Sequence, residues 1–143
     1  MKKKWPICAL LMLLCMVMLC SIPVYAAETR ASTRISHSGV SLSRKSDGDL
    51  SIYFTVRATD VMEKIGASRV EIQRSAGNGW ITEYTFTTSN TSTLQQNNKD
   101  QYGTVLTYSP RFTGMTYRAV VMIYVKDATG TSTQQLTSKT VMS

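Results

Sequence analysis

The chain has 143 residues, a single histidine, three cysteines and a formal net charge of +7 at neutral pH. All three cysteines, Cys8, Cys15 and Cys20, fall within the first 20 residues, so the rest of the chain has no thiol, no disulfide and no sulfur ligand except methionine. With His37 as the one histidine, Cys/His nucleophiles and zinc sites built from several His or Cys ligands are excluded there.

Residues 1–26 read as an export segment. Lys2, Lys3 and Lys4 form a basic start, residues 5–20 are uncharged and almost wholly apolar, and Pro23 precedes Val24-Tyr25-Ala26, which suits a signal peptidase. Cleavage after Ala26 is expected. The alternative is an uncleaved anchor over residues 5–26, since a spanning helix needs roughly 20 apolar residues. A lipoprotein is disfavoured because Cys15 and Cys20 each follow a leucine. Removing the segment leaves about 117 residues, enough for one domain with one core. It also leaves 13 basic residues against 9 acidic ones. These are scattered, with no run longer than two, whereas a nucleic-acid surface requires a clustered stripe. The balance is compatible with weak attraction to anionic cell-wall polymers. Residues 27–39 read as a flexible N-terminal segment and residues 40–143 as a β-sandwich domain.

Val40 and Leu42 alternate with serines as a first strand, and Lys45-Ser46-Asp47-Gly48-Asp49 forms a turn. In 50–58 alternation is complete: Leu50, Ile52, Phe54, Val56 and Ala58 face one way, Ser51, Tyr53, Thr55 and Arg57 the other. Residues 59–66 read as one helical turn lying over an end of the core, with Asp60 and Glu63 spaced as in a capping box, Gly66 as its stop, and Met62 and Ile65 packing inward. Val70 and Ile72 then oppose Arg69, Glu71 and Gln73. Gly77-Asn78-Gly79 predicts a hairpin turn with positive φ at Asn-Gly. The returning strand sets Trp80, Thr82, Tyr84 and Phe86 against Ile81, Glu83 and Thr85.

Residues 88–103 are polar apart from Leu94 and Tyr102 and read as a long loop with at most an irregular edge strand. The Asn90-Thr91-Ser92 triplet is a common chance match to a glycosylation acceptor. Val105, Leu106 and Tyr108 make a short strand ended by Pro110. In 117–126, Tyr117, Ala119, Val121, Ile123 and Val125 face one way, and Val120, Met122 and Tyr124 make the other side apolar too, as in a central strand. After a turn at Asp127-Ala128-Thr129-Gly130, residues 131–141 return as a polar edge strand. About seven strands at this spacing predict an all-β, antiparallel sandwich.

Tyr117, just after the corner Gly114-Met115-Thr116, resembles the tyrosine corner of immunoglobulin-like and fibronectin type III-like sandwiches. Trp80 and the Gly130 turn add to the resemblance, which covers about residues 40–141. It implies one immunoglobulin-like sandwich behind an N-terminal signal-peptide helix. The chain also resembles small secreted proteins of Gram-positive gut bacteria such as clostridia, which are families of unknown function. That likeness implies a compartment and no activity.

Catalytic readings find little support. His37 stands without a Gly-x-Ser-x-Gly elbow. Asp60, Glu63, Glu71 and Glu83 are the acids available for glycoside chemistry, but Glu71 and Glu83 read as solvated strand residues and Asp60 and Glu63 as helix caps. Asp47-Gly48-Asp49 reads as turn chemistry before a calcium site. No catalytic, cofactor-binding or metal residue is assigned. Two candidate binding features remain. One is the surface Tyr53, Val120, Met122 and Tyr124, with Tyr53 beside the others if their strands are neighbours. The other is the loop carrying Asn90, Gln95, Gln96, Asn97, Asn98 and Gln101. The expectation is a secreted, non-enzymatic binding module for an extracellular protein or glycan. The alternative is an envelope-associated protein held by charge or by its N-terminal helix, and third comes a small secreted hydrolase or toxin.

Overall fold

The computed structural model describes residues 34–143, so the export segment and its alternatives lie outside the described residues. Nine strands run in the order β1 (Ile35–Arg44), β2 (Leu50–Met62), β3 (Lys64–Ala76), β4 (Gly79–Thr87), β5 (Gln95–Gln96), β6 (Lys99–Tyr108), β7 (Thr116–Asp127), β8 (Gly130–Thr137) and β9 (Val141–Met142). They make two antiparallel sheets. One has the order β1-β2-β6. The other has the order β4-β3-β7-β8, with β5 added to β3 and β9 to β7. The two strands beyond the expected seven are the two-residue β5 and β9.

The sheets meet through the inward positions that alternation marks. Leu42, Leu50, Ile52, Phe54, Val56 and Leu106 from the three-stranded sheet pack on Ile65, Val70, Ile72, Tyr117, Ala119, Val121, Ile123 and Val125 from the larger one. β7 is central, with β3 on one flank and β8 followed by β9 on the other. The last segment is one edge interrupted at Ser138, whose hydroxyl accepts the amide of Ala119 at 2.9 Å while its own amide donates to the Ala119 carbonyl.

Several local expectations give way once the strands pair. The helical turn over 59–66 does not form: β2 continues to Met62, the chain bends at Glu63, and β3 starts at Lys64. Met62 and Ile65 are both buried, but from two strands. Pairing of Lys64 and Ile65 with Lys126 and Val125 outweighs the capping signals, and Asp60 instead accepts the amide of Val61 at 2.7 Å. Gly66 is needed for a close approach and not as a helix stop: its φ is +148°, and a Cβ there would lie 2.1 Å from the Leu94 carbonyl oxygen.

The hairpin closes Ala76 on Gly79, with the positive φ on Gly77 and not on Asn78-Gly79. A bulge then shifts β4 between its Ile72 and Gln73 partners. Trp80 and Thr82 therefore share a face with Thr85 and Thr87, while Ile81, Tyr84 and Phe86 take the side of Arg74, Ile72 and Val70, where Phe86 packs on the core and Ile81 and Tyr84 stay exposed at the edge. Strict alternation cannot survive an inserted residue. The 88–103 segment is less of a loop than its composition suggests. Ser92–Leu94 is a 3-10 turn with Leu94 fully buried, and Lys99 to Gly103 already belong to β6, whose outward positions are free to be polar. At the other end, β1 begins at Ile35, so His37 and Gly39 lie in a strand opposite Arg57 and Thr55.

Candidate functional site

With both inner faces filled, chemistry is left to the outer faces, the edges and the poles. Directly opposed residues of an antiparallel pair project to the same side, so the registers define each face. On the three-stranded sheet the outward rows are Ser43, Ser51 and Thr107; Ser41, Tyr53 and Val105; Gly39, Thr55 and Gly103; and His37, Arg57 and Gln101. None of these positions carries a carboxylate. Tyr53 is 44 % exposed and Val105 56 %. The Tyr53 ring leans over Gly103, where a Cβ would come 3.1 Å from the phenol oxygen and 3.4 Å from Cε2. The missing side chain at 103 thus lets an aromatic ring lie along the sheet. Around it, Arg57 Nη2 donates to Gln101 Oε1 at 3.2 Å, and Lys45 Nζ donates to Thr107 Oγ1 at 2.9 Å.

The outer face of the larger sheet is occupied by its own side chains. The Arg118 guanidinium stacks on Trp80 at 4.2 Å from the ring centroid and its Nε donates to Gln73 Oε1 at 2.9 Å. Gln73 Nε2 donates to Glu71 Oε2 at 2.9 Å, and Arg69 Nε meets Glu71 Oε1 at 3.0 Å. Val120 is buried beneath this layer, and Met122 and Tyr124 are half-buried.

The candidate surface Tyr53, Val120, Met122 and Tyr124 is therefore two surfaces. β2 pairs with β1 and β6, never with β7, so Tyr53 points away from the other three across the thickness of the sandwich. The candidate loop divides as well. Asn90 is a bracket: its Oδ1 accepts from the Thr87 amide at 2.8 Å and its Nδ2 donates to the Thr85 carbonyl at 3.0 Å. Gln95 Nε2 donates to the Ala67 carbonyl at 3.2 Å. Gln96, Asn97 and Asn98 are exposed, while Gln101 belongs to the outer face of the three-stranded sheet.

The acids are engaged rather than poised. Glu71 and Glu83 are not solvated strand residues: their side chains are 18 % and 12 % exposed, and Glu83 Oε1 holds Arg74 Nε at 2.6 Å. Phe112 stacks on that arginine at 4.7 Å. Glu63 meets Lys126 at 3.4 Å, and Asp47 Oδ1 accepts the amide of Asp49 at 3.0 Å as an Asx turn. Asp127 accepts Arg34 Nε at 2.6 Å. That guanidinium first, and the Thr129 hydroxyl second, hold its carboxyl well below the usual carboxylate range. Burial pushes the phenols of Tyr108 and Tyr117 upward, keeping them protonated. Tyr117 uses its proton to donate to the Phe112 carbonyl at 3.2 Å. Among the described residues no group of three or more His, Asp or Glu side chains could hold a metal ion.

Sequence reading missed Val105. In a Val-Leu dipeptide, either residue can be the one that faces the core, and only the pairing of Leu106 with buried Ile52 assigns Val105 to the outside beside Tyr53. No family model matches the chain, and comparison with curated proteins and with solved structures finds no match either.

Proposed function

We propose that this is a secreted, non-enzymatic binding module on an immunoglobulin-like, fibronectin type III-like sandwich. The Tyr117 hydroxyl bonded to a carbonyl five residues upstream is the contact that defines a tyrosine corner. The order β1-β2-β6 against β4-β3-β7-β8 also suits that class, with β4 moved beside β3 instead of standing next to β6 as in constant immunoglobulin domains.

One observation carries the functional reading: the paired, exposed Tyr53 and Val105 on a sheet face without carboxylates. Burying an amphipathic aromatic ring gives contact area at low entropic cost, and the surrounding hydroxyls, Arg57 and Gln101 supply orienting hydrogen bonds. An extracellular protein or glycan is the ligand class that such a face fits.

The test is an array of cell-wall polysaccharides, mucin-type glycans and extracellular matrix proteins, probed with purified protein. Tyr53→Ser should abolish capture and Tyr124→Ser should preserve it. Turnover of a substrate in a broad hydrolase panel, lost on His37→Ala or Glu71→Gln, would replace the binding reading with an enzymatic one. For export, the intact mass of protein recovered from culture medium should equal that of residues 27–143.

A further inference from the structure

The four sheet edges are treated very differently. β4 carries the bulge and an inward-turned charge pair, Arg74 with Glu83, two devices that blunt an edge. β1 and β8 are laced together by side chains. Ser38 Oγ donates to Gln134 Oε1 at 2.8 Å, and Arg34 reaches Ser132, Thr129 and Asp127. Over its second half β6 has no bulge and no charge of its own; Tyr108, stacked on Tyr84 of β4 with ring centroids 5.9 Å apart, ties it to the facing edge, and Lys45 reaches Thr107 from the turn before β2. The register of β6 on β2 is unbroken from Leu50 opposite Tyr108 to Arg57 opposite Gln101. No charged residue occurs in 102–110, and the proline lies beyond the strand. A regular edge strand leaves a row of backbone N–H and C=O groups facing outward, and an added strand can pair with them.

We propose that this edge docks β6 of a second copy, antiparallel about a two-fold axis at Val105, joining two three-stranded sheets into one of six. The inference rests on the interaction-module reading and names a partner for the β6 side of that surface. A two-fold pairing sets each residue against itself or a close neighbour, so a strand with charges would meet like charges. The uncharged run 102–110 escapes that penalty. Centring on Val105 places Gly103 opposite Thr107 and Gln101 opposite Ser109 of the second copy. Gly103, Thr107 and Gln101 are outward positions and Ser109 follows the strand as an exposed residue, so both sheets keep the same sides. The exposed Val105 side chains then cover one another, with a Tyr53 ring on either flank.

The test uses residues 27–143, which include every described strand and core residue. Sedimentation equilibrium should show the mass rising from one chain toward two with concentration. Val105→Lys, at an exposed position, should keep the native circular dichroism yet raise the concentration for half-dimerisation by about tenfold or more, because two ammonium groups then face each other. Residues 27–143 have no cysteine, so Val105→Cys should give a disulfide-linked dimer on mild oxidation, its Cα atoms lying about 4.5–5.5 Å apart across the axis. Thr133→Cys, on β8, should not. A one-chain mass up to roughly 1 mM, or equal cross-linking at both cysteines, would overturn the proposal. If the chain is monomeric but Tyr53→Ser abolishes capture on the array, the second copy falls and the sheet face belongs to another partner. If it is monomeric and captures nothing, the interaction-module reading falls too.

Discussion

The two outer faces of this sandwich differ in their side chains and in how far those side chains are engaged with one another. On the larger sheet, Trp80, Arg118, Gln73, Glu71 and Arg69 satisfy one another across β4, β7 and β3, leaving little hydrogen-bonding capacity and a buried Val120. On the smaller sheet, serines, threonines and two glycines surround Tyr53 and Val105, and the large side chains there are the exposed ones. A face whose groups are mutually engaged contributes to stability. A face with an exposed ring and exposed hydroxyls, and with lighter pairing such as Arg57 to Gln101 and Lys45 to Thr107, is where a partner can add contacts while breaking few. On the proposed reading, the difference separates a structural surface from the surface offered to a partner.

That contrast can be broken by mutation. Both faces stand on one core, so Phe54→Ala should destabilise the whole domain by about 3–5 kcal/mol in denaturant unfolding, and a much smaller loss would mean the sheets do not share it. Next, Glu83→Ala leaves the partly buried Arg74 without its carboxylate and should cost about 2–3 kcal/mol. It also removes the inward charge that guards β4, so aggregation measured by light scattering should rise. Third, Arg118→Ala should cost about 1 kcal/mol through loss of the Trp80 stack and the Gln73 bond. Val105→Ser should change stability by about 0.5 kcal/mol or less. Equal effects for these two would erase the distinction between the faces.

The smallest effect at neutral pH is at the laced β1/β8 side. Because Arg34 lowers the Asp127 pKa in the folded state, this pair contributes stability above the ordinary aspartate range and loses it as pH falls toward the depressed folded value. Denaturation midpoints of the parent should therefore drop between about pH 4 and pH 2 more steeply than those of Asp127→Asn. Parallel curves would show that the Arg34 contact is not held in solution.

Much of the fold could be read locally. The inward set of β2 and the central position of β7 follow from period-two alternation and from apolar residues on both sides of 117–125, properties that need no knowledge of neighbours. Tyr117 at its corner was legible for the same reason, since its acceptor lies five residues away. The candidate site was only half legible. Tyr53 could be marked as outward-facing, but grouping it with Val120, Met122 and Tyr124 required knowing which strands are neighbours. The capping signals at Asp60, Glu63 and Gly66 were genuine local preferences that lost to pairing with β7 and β5.

The sequence by itself determined that the chain beyond its first residues is an all-β domain without thiols, with its core drawn from alternating apolar positions. Side-chain period and composition are carried by consecutive residues, and over β2 and β7 the tertiary pairing follows them. Only the tertiary structure decided that Tyr53 stands opposite Val105 with its ring over Gly103, that Glu71 and Glu83 are engaged with arginines, and that β6 is an edge without a bulge or a charge of its own over its second half. Those facts depend on strand order, on one bulge in β4 and, for Tyr53 with Val105 and Gly103, on residues about 50 positions apart, which alternation alone does not encode.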